Sequence, residues 1–179
     1  MPEIQNRETG ATAHRFAPAA PDEEAVYGAC CPGWHSAASH EAAIADWVAF
    51  MRRQEVARVC CLLPGGEDSA AGVERYPEAF EAVLHAPTPD GRLVDPALLA
   101  EEVLPFLEDA APDKRVVVHS LAGIGRVGQV LAAWLAHDRG YGPERAIETV
   151  EETGRHPREP VEDGDATTEE LEDLLATFA

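Results

Sequence analysis

The chain alternates short apolar runs with longer amphipathic stretches. Residues 24–31 (EAVYGACC) form a first apolar run, closed by Pro32-Gly33, and predict a strand. Residues 40–54 then place Ile44, Trp47, Val48 and Met51 at the i, i+3, i+4, i+7 spacing of one helical face. A second apolar run, 56–63 (VARVCCLL), stops at Pro64-Gly65-Gly66. Residues 69–84 carry a helical pattern, and 84–87 predict a short strand. After the loop 88–95, Asp95 and Pro96 have the character of an N-cap and first helical residue for a helix over 97–110, with Pro105 expected to kink it. The third run, 115–119 (RVVVH), leads through a glycine-rich turn into a helix over 126–139. That helix has Val127, Val130, Leu131, Trp134 and Leu135 on one face and ends at Gly140. Pro143 opens another helix over 144–152, and Thr167 with Glu170 makes a capping-box pattern for a last one over 167–178. Strands alternating with helices predict an α/β fold: a single domain with a largely parallel twisted sheet of about five strands, covered by helices on both faces. There are no internal repeats. Residues 1–15 are expected to form a flexible lead before a domain over 16–179.

Composition narrows what such a fold can bind. The chain has 179 residues, 45% of them hydrophobic, enough for a core without metal or disulfide staples. Its 33 acidic residues outweigh 14 basic ones, giving a net charge of -19, and 13 of the 14 are Arg, with Lys114 the single lysine. An acidic excess with so little lysine has the character of a cytoplasmic protein from a salt-loving organism, where a hydrated carboxylate surface keeps the chain soluble. Such a surface repels nucleic acid and anionic membranes, so an anionic ligand must be captured by a local positive feature. The pairs Cys30-Cys31 and Cys60-Cys61 lack metal-site spacing, and neighbours on a strand face opposite sides, so one member of each pair is expected in the core. No metal or cofactor is implied. No apolar leader or run of membrane-spanning length is present in the sequence.

The turn after the third strand carries the chemistry. In VVVHSLAGIGRVGQV (116–130), Gly123, Gly125 and Gly128 spell G-x-G-x-x-G. A dinucleotide site would need a following strand ending in an acidic residue, and helices follow instead. In another register the stretch reads His119, Ser120, five residues, Arg126. A loop of that length between strand and helix can curl its backbone N–H groups inward, with glycine supplying the unusual φ values. The helix start adds its positive end and Arg126 a planar fork of donors, which together suit a tetrahedral dianion.

That stretch resembles the phosphate-binding loop of cysteine-dependent protein phosphatases in the dual-specificity and tyrosine branch, whose pattern is His-Cys, five residues, Arg, then Ser or Thr. HAPTPDGRLVDP (85–96) resembles the family's general-acid loop, with Asp90 at the acid position. VYGACCPGW (26–34) resembles the opening strand and turn of the cyclin-dependent-kinase-associated type, and YGPERAIETVEETGRHP (141–157) the helix and loop that complete the rim. The resemblance implies hydrolysis of a phosphate monoester through a phosphocysteine. In it Asp90 would protonate the leaving oxygen, Arg126 would grip the equatorial oxygens, the amides of Leu121, Ala122, Gly123, Ile124, Gly125 and Arg126 would line the cradle, and His119 would support its base.

Two positions depart from the pattern. Ser120 stands where the family has its nucleophilic cysteine, and Val127 where it has the hydroxyl that helps the thiolate leave. A helix terminus and an arginine can hold a thiol near pKa 8.5 as thiolate, but an alcohol needs an adjacent general base. His119, next to Ser120 on a strand, should face the other way. Phosphate binding with strongly impaired turnover is therefore expected. The alternatives are a non-catalytic phosphate-binding module, and an active phosphatase whose cysteine was exchanged for serine to trap substrate. Cys30 or Cys31 as substitute nucleophile would have to enter from another strand. The ligand is expected to be a phosphorylated protein or a small phosphomonoester, and the chain a monomer. None of the variable loop residues is basic, which disfavours polyphosphorylated inositols. Arg92, Arg155 and Arg158 are expected to be solvated, and Trp34 is either rim or core.

Overall fold

The computed structural model describes residues 14–34, 39–64 and 73–179. Five strands form one sheet: β1 (Ala17–Pro18), β2 (Val26–Ala29), β3 (Val56–Cys61), β4 (Ala82–His85) and β5 (Arg115–His119). Their spatial order is β1-β2-β5-β3-β4, with β1 antiparallel to β2 and every other pairing parallel. β5 lies in the middle, flanked by β2 and β3. The carboxyl ends of β2, β3, β4 and β5 therefore open on one side, where α/β folds bind ligands. The chain is a single-domain α/β protein with a mostly parallel sheet covered by helices.

A hydrophobic core covers each face of the sheet, and side chains alternate between the two along each strand. On β5, Val116 and Val118 join the core beneath the long helix α5 (Gly125–Arg139), while Val117 joins Trp47, Phe50, Met51 and Tyr76 on the opposite face. Helix α1 (His40–Arg53) supplies that second layer by burying Ala43, Ile44, Trp47, Phe50 and Met51, and Ser39 caps it by accepting from the Ala42 amide. α6 (Pro143–Glu152) and α8 (Thr168–Ala176) complete the first layer, and α8 opens on the expected Thr167–Glu170 capping box. No described helix is long and apolar enough to cross a membrane.

Several expectations change. The helical pattern expected over 69–84 falls partly outside the described residues. Within them, Val73–Arg75 and α2 (Tyr76–Ala79) are helical, but Phe80 turns extended and Ala82–His85 pair with β3. Pairing with the open edge of β3 overrides the local pattern. The helix expected around Pro105 is not uniform. α3 (Pro96–Leu98) runs through a π-helical turn (Leu99–Val103) into α4 (Leu104–Glu108), and the Leu104 amide bonds to Leu99 O. The wider turn shifts the hydrogen-bond pattern just before the proline, whose nitrogen has no proton to give. All four cysteines are buried, not one of each pair: Cys60 and Cys61 lie on β3, which is covered on both faces, and Cys30 and Cys31 follow the end of β2, where Cys31 packs with Cys61 and Leu63. At the N-terminal end, residues 1–13 lie outside the described residues, whereas Phe16, Ala19 and Ala20 pack into the domain beside β1, a strand the hydrophobic pattern does not predict.

Candidate active site

β5 ends at His119, and α5 starts only six residues later at Gly125. The intervening turn closes around a concavity of about 260 Å³ lined by Trp34, Asp90, Ser120, Leu121, Ala122, Ile124, Gly125, Arg126 and Glu159.

The orientation of its peptides follows from where the carbonyls go. Leu121 O accepts from the Cys31 amide at 3.0 Å, and Ala122 O from Arg15 Nη1 at 3.1 Å. Gly123 O accepts from Arg155 Nη1, and Ile124 O from the His156 amide at 3.1 Å. All four acceptors are held from outside the loop. In a trans peptide the C=O and the following N–H point in opposite directions, so the amides of Ala122, Gly123, Ile124 and Gly125 are turned inward. The Gly123 amide shows this directly, donating to Ser120 Oγ at 3.1 Å. The turn is possible because Gly123 adopts φ +78°, and a Cβ there would sit 2.7 Å from the Cys30 amide nitrogen. Helix α5, 15 residues long, adds the positive end of its dipole at the same point.

Arg126 is 4% exposed and cannot swing freely: Nη1 donates to Thr88 O at 2.9 Å, and Nε lies 3.6 Å from Asp90 Oδ1. This ties the arginine of the loop to the segment bearing the candidate acid. Asp90 is exposed, and its Oδ1 also accepts from the Gly91 amide at 3.0 Å, where Gly91 has φ +71°. It is thus both a turn residue and a lining residue of the concavity. Gln129, on α5 and fully buried, fixes the rest of that segment: its Oε1 accepts from the Val94 amide at 2.8 Å and its Nε2 donates to Arg92 O at 3.1 Å.

His119 is fully buried and does not line the concavity. Its ring packs edge-on to Trp47 and Tyr76, Nδ1 lies 3.2 Å from Ser120 O, and Nε2 lies 3.1 Å from the Tyr76 hydroxyl. A carbonyl can only accept, so Nδ1 carries the proton and Nε2 accepts from tyrosine. Burial above all pushes its pKa down to about 4, so the ring is neutral at pH 7. With both nitrogens engaged, it has no lone pair to offer Ser120. Val127 is completely buried against Gly28, where an added Cβ would fall 2.6 Å from Val127 Cγ1.

The hydrophobic pattern misses four contributors: Arg15, Gln129, Arg155 and Glu159. Arg155 is the clearest correction. Expected in solvent, it is 3% exposed and bridges Gly123 O and Arg15 O with its two terminal nitrogens. Gln129 had a signal in sequence, being a polar residue inside the apolar face of α5, where burial demands partners. Trp34, 41% exposed, is at the rim. Arg92 and Arg158 stay outside the concavity, and Arg158 pairs with Glu151 at 3.1 Å.

Comparison with known proteins bears on the fold and the family. No curated protein sequence matches the chain. Solved structures do: PTPMT1 in complex with PI(5)P (19% identity over 92% of this chain and 99% of that one, TM-score 0.65), a variant of P. aeruginosa TpbA in complex with pTyr (20%, 87% and 86%, 0.57), and kinase associated phosphatase with its catalytic-site cysteine replaced by serine (20%, 86% and 84%, 0.57). At such identities they establish the fold. A sequence profile described as "Tc-R-P: Polymorphic toxin system, DSP-PTPase phosphatase" matches residues 35–139, more than half the chain and including both Asp90 and the turn at 120–126. The chain belongs to this DSP-PTPase phosphatase family.

Proposed function

We propose that the turn at 120–126 binds the phosphoryl group of a phosphomonoester, with Arg126 on its equatorial oxygens and Asp90 beside the leaving group. Hydrolysis is slowed by orders of magnitude or absent because Ser120 stands at the nucleophile position. The observation that carries the binding half is the outward anchoring of four successive carbonyls by Cys31, Arg15, Arg155 and His156. Inward amides, a helix N-terminus and a buried guanidinium are complementary to a tetrahedral dianion.

The impaired half rests on acidity. The same field that would ionise a thiol leaves an alcohol protonated, and a serine then requires a base. His119 is neutral and has both ring nitrogens engaged. Cys30 is no substitute, because burial pushes its thiol up to about 11. A second reading, a phosphate-binding module without any turnover, is supported by Val127. It fills the space over Gly28 as a core residue and offers no hydroxyl for the release step. A net charge of -19 and a loop without basic variable residues favour a single phosphoryl group on a protein side chain or small molecule.

The test compares the chain with Ser120→Cys on an aryl phosphate in high salt. Turnover restored by cysteine alone supports the phosphatase reading; none restored supports the binding module. In either case Arg126→Ala should abolish vanadate or phosphate binding, and retention of binding overturns the assignment of the loop.

A further inference from the structure

The concavity contains a carboxylate that the phosphatase reading does not use. Glu159 opens the short helix α7 (Glu159–Glu162) and leans over the start of α5, where a Cβ added to Gly125 would collide with its Oε2. It lines the same space as Ser120, Arg126 and Asp90. The charged groups whose fields reach it are Asp90 from the loop after β4, Asp163 at the end of its own helix, His156 just ahead of it and Arg126 at the start of α5. Burial, then Asp90 and Asp163, hold its pKa above the ordinary glutamate value, while His156 and Arg126 oppose them. His156 is itself committed to Glu162, 2.7 Å away. Among the described residues no donor bonds to the Glu159 carboxylate.

A dianion entering the loop thus meets two carboxylates, Asp90 and Glu159, and that repulsion is lowest when the ligand brings a positive charge of its own. Resting on the reading of 120–126 as a phosphoryl cradle, we propose that Glu159 is a specificity-determining residue: together with Asp90 it selects phosphomonoesters that carry an ammonium or guanidinium a few bonds from phosphorus. A second anion at that position is discriminated against. No bond is made or broken by Glu159 in this role; it acts on binding alone.

The experiment is calorimetric titration of the full chain at pH 8 and fixed salt with ethyl phosphate, O-phosphoethanolamine and phosphoglycolate, which share a two-carbon skeleton and differ in charge. The chain should bind O-phosphoethanolamine about three- to tenfold more tightly than ethyl phosphate, and phosphoglycolate more weakly than both. Glu159→Gln should bring the first two within about twofold and strengthen ethyl phosphate. Glu162→Gln, on the same helix but turned to His156, should leave the ratio as it was. Equal affinities in the unaltered chain, or a preference that survives Glu159→Gln, overturns the proposal while leaving the cradle intact. Failure of all three ligands to bind, with Arg126→Ala indistinguishable, overturns the cradle and this proposal together.

Discussion

Replacing Arg155 with methionine should weaken phosphate binding as well as folding. The guanidinium is 3% exposed, its Nη1 and Nη2 donate to Gly123 O and Arg15 O, and its Nε is buried without a partner among the described residues. Burial pulls its pKa down to about 10. At 1.36 kcal/mol per tenfold change in proton affinity, keeping the charge there costs roughly 3 kcal/mol at neutral pH. The two charge-assisted hydrogen bonds return about 1.5–3 kcal/mol each. The bonds together match or exceed that cost, by up to about 3 kcal/mol. Methionine keeps the apolar stem but orphans two carbonyls, so the net loss of stability should be about 1–3 kcal/mol. Function suffers separately. Once Gly123 O is released, its peptide can rotate and carry the Ile124 N–H out of the concavity. Loss of one amide to a dianion is worth about 1.5–3 kcal/mol, or roughly a 10- to 100-fold rise in the phosphate Kd. Urea unfolding measures the first quantity and calorimetry the second. Arg155→Lys, which presents a point charge instead of a fork, should fall between. A phosphate Kd within about twofold of the parent, alongside a lowered urea midpoint, would show that Arg155 only fills space and does not orient the loop.

Two further outcomes follow from the same geometry. Gly123→Ala should lose about 2–4 kcal/mol in urea, from the left-handed backbone and the clash with the Cys30 amide, whereas Gly140→Ala, at φ +67° with nothing within 4 Å, should lose only about 1 kcal/mol; equal losses would remove the steric argument. His119 sets an acid limit. Its folded pKa of about 4 lies below the ordinary value of 6.5, so as pH falls through that window the unfolded chain takes up a proton that the folded chain refuses. Stability conferred by the neutral ring is complete above about pH 6.5 and should fall by about 3 kcal/mol by pH 4; His119→Gln should lack this component of the acid sensitivity in urea titrations at pH 7 and pH 4.5.

What sequence reveals here depends on how local the cause is. The run RVVVH and the spacing from Ser120 to Arg126 specify a strand, a tight turn and a helix start within a dozen residues, and these were legible. The start of β4 was not, because residues 80–84 continue a helical pattern and only the exposed edge of β3 converts them. Periodicity predicts a one-sided α5 because Ala132, Ala133 and Ala136 are silent in it, yet those small residues let neighbours close over the helix until every residue from Gly125 to Ala136 is buried. Nothing local marks Arg155 as buried, because its acceptors, Gly123 and Arg15, lie 32 and 140 positions away. Glu159 sat inside an acidic run, where charge alone suggests water.

The anchoring of the turn also bears on when the protein becomes competent. Arg15 reaches across 107 positions to Ala122, and Arg155 across 140 to Arg15. Contacts of such span form late, since the entropy of closing large loops must be met first. A ribosome-bound chain ending near α5 would hold every residue of the Ser120–Arg126 signature and still leave the Gly123 carbonyl without its clamp. The proposed phosphate cradle is thus complete only once the segments carrying Arg15 and Arg155 have docked on the turn.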